Sequence, residues 1–147
     1  MSLKGRITDD MKSAMKAGDK DRLKVVRQML AAIKQVEIDK RVELDDAGIL
    51  AVLEKMVKQR RDSVEQFERG GRDDLARIEQ DEIETIETYL PEPLGEAELE
   101  ALIDAAFAAT GAESMRDMGK VMAHIRSEAA GRTDMGAVGA RVKARLG

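Results

Sequence analysis

The residues able to do chemistry in this chain are few and fall into three groups. His124 is the sole histidine, and a lone imidazole is a candidate acid, base or ligand. It stands in phase with Asp117 and Lys120 and off the face marked by Met118, Met122 and Ile125, which predicts an ordinary surface histidine. A di-iron carboxylate bundle needs a Glu three residues ahead of its His. Position 121 is Val, so that signature is absent. The second group is Glu79, Asp81, Glu82, Glu84 and Glu87. They would hold a divalent metal only with a second carboxylate pair facing them, and no such pair is marked, so a solvated acidic helix face and no metal are expected.

The third group is basic. Lys55, Lys58, Arg60 and Arg61, with Arg69 and Arg72 further on, are interleaved with Asp62, Glu65 and Glu68, which neutralise them at helical spacing. Arg60 falls within an apolar stripe, where a guanidinium is expected to be structural, bonded to a carboxylate or a backbone carbonyl. The C-terminal cluster is cleaner: Arg116, Lys120, Arg126, Arg132, Arg141, Lys143 and Arg145. Lys120 and the Gly131-Arg132 turn lie near helix starts, whose free amides attract phosphate oxygens. The last helix's cations also suit its own macrodipole. Phe67, Tyr89 and Phe107 are too few to read bases by stacking, so a nucleic acid would be recognised by its phosphates and shape.

Composition excludes much else. The 147 residues contain no cysteine, which removes disulfides, thiolate nucleophiles and thiolate metal sites. No Gly-rich phosphate loop or nucleophile elbow occurs, and no cofactor is implied. Apolar runs fall well short of the roughly 20 residues of a membrane span, and no signal-peptide core is present, so a cytoplasmic protein is expected. The net charge of −4 hides a segregation: residues 1–72 hold 17 Lys/Arg against 13 Asp/Glu, residues 73–113 hold 1 against 13, and residues 114–147 hold 7 against 3. The basic segment is placed to face a polyanion; alternatively, acidic and basic segments pair with each other within the fold.

Helices must position these groups. Leu3, Ile7, Met11 and Met15 mark a first helix ending at Gly18, and Asp19 caps a second with Leu23, Val26, Leu30 and Ile33 inside. Ile49, Leu53, Met56, Arg60, Val64 and Phe67 mark a third of about 25 residues, closed by Gly70 and Gly71. Asp73 is expected to cap a fourth with Leu75, Ile78, Ile83, Ile86 and Leu90 inside. Pro91 and Pro93 stop it and mark a domain boundary. Leu99, Leu102, Ile103, Ala106 and Phe107 form a helix closed by Gly111. Ser114 and Asp117 form a capping box ahead of Met118, Val121, Met122 and Ile125. After Gly131, Thr133 or Asp134 caps a last helix with Met135, Val138, Val142 and Leu146 inside. The expected fold is all-α: an N-terminal domain of about four helices over 1–90, then a three-helix domain over 94–147.

The run Gln59-Arg-Arg-Asp-Ser-Val-Glu-Gln-Phe67, then Gly70-Gly-Arg-Asp-Asp-Leu75, Tyr89-Leu-Pro91, Met118-Gly-Lys-Val-Met122 and Gly131-Arg-Thr-Asp134, resembles the GatB/YqeY family, with Thr133 where the family more often has Ala. The resemblance implies that residues 94–147 are similar to the tail of the B subunit of the tRNA-dependent amidotransferase, a helical module that contacts the tRNA body. It further implies a tRNA-binding accessory protein, with tRNA and proteins of aminoacyl-tRNA metabolism as partners. Lys120, Arg126, Arg132, Arg141, Lys143 and Arg145 would then meet phosphates, and Gly119 and Gly131 would build a tight hairpin to present them. Two alternatives stand beside it: a component of carbon-nitrogen ligation with glutamine as amide donor, and an interaction scaffold offering the acidic segment Asp73 to Glu113 to a basic partner.

Overall fold

The computed structural model describes residues 2–147, and among them the chain is all-α. Backbone contacts divide it into two compact units, Met1–Leu90 and Pro91–Gly147. The first holds helices α1 (Leu3–Ala17), α2 (Lys20–Lys40), α3 (Asp46–Arg69) and α4 (Asp73–Glu87). The second holds α5 (Glu96–Thr110), a 3-10 turn (Met115–Asp117), α6 (Met118–Ala129) and α7 (Met135–Leu146).

Helix ends follow from local chemistry. Asp19 accepts from the Arg22 amide and Asp45 from the Gly48 amide, each satisfying a donor that the helix cannot. Gly18 closes α1 in the left-handed region at φ 69°. At the end of α2 the left-handed position is held by Arg41, at φ 54°, and the Val42 amide donates back to the Glu37 carbonyl in a Schellman arrangement.

The first core gathers Ile7, Val26, Met29, Ile33, Leu53, Ile83 and Ile86 from all four helices. The second gathers Leu99, Ile103, Ala106, Val121, Ile125, Val138 and Val142. Three expectations need correction here. Met15 is half exposed and Ala14 is buried in its place, because each four-residue step advances about 40° round a helix and three steps leave the face. Asp73 is the first residue of α4; Arg72 stands at the N-cap without a side-chain cap, and its guanidinium holds Asp74 instead. Ile78 is 51% exposed, since it points roughly 125° away from the mean direction of Ala76, Ile83 and Ile86.

Candidate functional site

The C-terminal basic cluster is the first place to test. Arg141 on α7 reaches two carboxylates of α5, Glu96 at 2.9 Å and Glu100. Arg145, one turn on, pairs with Asp104 at 2.8 Å and lies 4.3 Å over the Phe107 ring. Arg132 donates from Nε to the Glu92 carbonyl at 2.8 Å, while its own carbonyl accepts from the Leu94 amide at 2.8 Å. It thus pins the Pro91–Leu94 strip to the turn after α6. Gly131 at φ 77° follows Ala130 at φ −57° and ψ 127°, which is a type II turn requiring a positive φ at its second corner.

The remaining candidates lie elsewhere on the unit. Lys120 is exposed in the first turn of α6, where its charge helps to lower the Asp117 pKa. The larger causes of that lowering are the Glu113 and Ser114 amides, which donate to the Asp117 carboxylate in the expected capping box. Arg126 and Lys143 are exposed in the last turns of α6 and α7. Gly119 sits in open space within α6, so no tight approach of the chain depends on it. His124 corrects another expectation: it is half-buried and its Nδ1 is enclosed without a hydrogen-bond partner, because it lies only about 60° round the helix from buried Val121.

In the first unit two polar networks tie the helices together. Arg60 donates to Gln28 Oε1 at 2.7 Å and to the Met56 carbonyl at 3.4 Å, with Glu82 Oε1 3.8 Å from its Nε. The guanidinium is structural, as its place in the stripe predicts. Tyr89 is buried, donates its hydroxyl to Asp10 and accepts from Arg22 at 3.5 Å, with the Arg6 guanidinium 4.8 Å over its ring. Burial, and then the bond to Asp10, push the phenol up to about 12.

Two grooves flank α4. One, of about 290 Å³, lies between α2 and α4 and is lined by Asp21, Lys24, Val25, Ile78, Asp81 and Glu82, among others. The other, of about 400 Å³, lies between α3 and α4 and includes Glu68, Asp73, Arg77, Asp81 and Glu84. Sequence periodicity missed the first groove by assigning Ile78 to the core; the signal was present in its angular position on α4. Among the described residues no group of three His, Asp or Glu is placed to hold a metal, and no helix is long and apolar enough to cross a membrane.

Fold and site together define an all-α protein of two units, with grooves beside an acidic α4 in the first and with Arg141 and Arg145 tying α7 to α5 in the second. Residues 4–146 match the family described as Yqey-like protein, and the chain belongs to that family, as its motifs imply. It is 40% identical over 102 residues to "Altered inheritance of mitochondria protein 41, mitochondrial" of Eremothecium gossypii, covering 67% of this chain and 56% of the relative. The protein of the same name from Saccharomyces cerevisiae is 38% identical over 82 residues, 55% of this chain and 44% of the relative. That of Pyrenophora tritici-repentis is 28% identical over 129 residues, 86% and 71% respectively. The chain spans about half the length of the first two.

These comparisons correct two expectations. The tRNA-accessory reading and its carbon-nitrogen ligase alternative are overturned by relatives named for mitochondrial inheritance. Of the six basic candidates, Arg132, Arg141 and Arg145 have carbonyl and carboxylate partners within their own unit, and Lys120, Arg126 and Lys143 are exposed. The expectation of a cytoplasmic protein is overturned by the same relatives, which are named as mitochondrial.

Proposed function

We propose that the chain is a protein-binding adaptor sharing with its relatives the molecular activity that underlies their name, and that the N-terminal unit carries the binding face. The observation behind this reading is Ile78: a large apolar side chain, 51% exposed, set in a groove on a unit whose other α4 isoleucines, Ile83 and Ile86, are sealed. Ile38 and Val42 of the same unit are at least as exposed, and what sets Ile78 apart is its place in a groove, where a partner's side chain can be enclosed. The acidic surface available is narrower than the whole run from Asp73 to Glu113, because Glu96, Glu100 and Asp104 of α5 are paired with α7.

The test is replacement. In Saccharomyces cerevisiae lacking Altered inheritance of mitochondria protein 41, this chain fused to a mitochondrial leader is expected to restore normal mitochondrial inheritance. A strain that imports folded chain and still shows the defect would overturn the reading.

A further inference from the structure

The segment that leads into the C-terminal unit is held by one residue. Residues 91–94 form no helix or turn of their own, and Pro91, Glu92 and Pro93 are exposed. Neither proline has an N–H to donate. Among the described residues the hydrogen bonds of this segment are two, and both end on Arg132. Its Nε donates to the Glu92 carbonyl at 2.8 Å, and its carbonyl accepts from the Leu94 amide at 2.8 Å. Glu98 Oε2, in the first turn of α5, lies 3.6 Å from the same guanidinium and steadies it. The apolar anchor is Leu94, partly buried against the second core. The opposite side of the contact is better fixed: Ala129, Ala130 and Gly131 are buried, the Arg132 amide donates to the Ala129 carbonyl at 2.9 Å, and Asp134 caps α7 directly after.

From this asymmetry we infer that residues 91–94 form a releasable strap, clasped by Arg132, whose opening meters the length of chain free between the two cores. The turn after α6 is the stationary jaw. The strap has no helix or ladder to hold it once the Arg132 bonds part, so it opens while the core stays folded. Closed, the chain between Leu90, packed on the first core, and Leu94, packed on the second, is residues 91–93. Open, it is residues 91–95, up to the start of α5 at Glu96. Its fully extended reach grows from about 10 Å to about 17 Å, and the place of Leu94 on the second core is uncovered. Glu92 and Arg132 are 40 positions apart, and the clasp gives the Gly131-Arg-Thr-Asp134 motif a role that the adaptor reading leaves unassigned. The inference is independent of that reading.

Amide hydrogen exchange of the full chain, read residue by residue by NMR, tests the strap. The Leu94 amide is expected to exchange about tenfold or more faster than the amides of Ile103 and Ile125, which lie inside helices of the same core. Arg132→Ala should speed Leu94 by about a further tenfold, the loss expected for a hydrogen bond from a charged donor, and leave Ile103 and Ile125 unchanged. Arg132→Lys should behave like Arg132→Ala, because lysine keeps the charge beside Glu98 but has a methylene where Nε donates. Leu94 exchanging as slowly as Ile103 in the unmodified chain would show that the segment is part of the core and no strap. An unchanged Leu94 rate in Arg132→Ala, or a full return to the original rate in Arg132→Lys, would overturn the Nε clasp. Equal acceleration of Leu94, Ile103 and Ile125 in Arg132→Ala would do the same, since the arginine would then support the whole unit.

Discussion

Tyr89 is the chain's one tyrosine and there is no tryptophan, so its titration is readable by absorbance without interference. In the folded protein its phenol is held neutral by burial and by donation to Asp10, with a pKa raised from 10.0 to about 12. A raised pKa means that the folded state binds this proton more tightly than the unfolded one. The stability it contributes is therefore complete below pH 10 and is lost as pH rises towards 12. Phenolate absorbance should rise with a midpoint near 12 in the native protein, and a midpoint near 10 with the helices intact would contradict the burial of the phenol first and its bond to Asp10 with it. Tyr89→Phe should abolish that rise. At this scale the sequence was legible for Arg60, whose position in an apolar stripe announced a structural guanidinium. It was not legible for Asp10 and Tyr89, which meet across 79 positions of chain.

Two glycines of the C-terminal unit should answer oppositely to the same change. Gly139 lies inside α7, and a Cβ there would sit 3.7 Å from the Met122 Cε, an ordinary contact. Gly139→Ala should stabilise the protein by about 0.5–1 kcal/mol through reduced backbone entropy, measured by urea unfolding. Gly131 is at φ 77° in the turn that Arg132 ties to Glu92, and Gly131→Ala should cost about 1–2 kcal/mol in the same assay. Helices and most of their ends were legible because capping and periodicity are local. Ile78 and Met15 were misassigned because an apolar residue three or four positions along looks like part of the stripe until the rotation is followed around the axis.

The whole molecule carries two cores with no shared residues, one in Met1–Leu90 and one in Pro91–Gly147. Expressed separately, residues 1–90 and 91–147 should each show helical circular dichroism and a cooperative melt. The smaller unit should be the less stable, because a short chain buries a smaller fraction of its surface. A structureless 91–147 fragment would show that its core needs the rest of the chain.

The sequence by itself determined the helical class, the breaks at Gly18, Gly70, Pro91 and Gly131, and the family, because these rest on neighbours within a few turns of one another. Only the tertiary structure decided which charges are available. Arg141 and Glu100 are 41 positions apart, as are Arg145 and Asp104, and whether such groups pair is settled by how helices pack. Packing turned Arg141 and Arg145 onto the carboxylates of α5, left Lys120, Arg126 and Lys143 exposed, and set Ile78 outside the core of its unit.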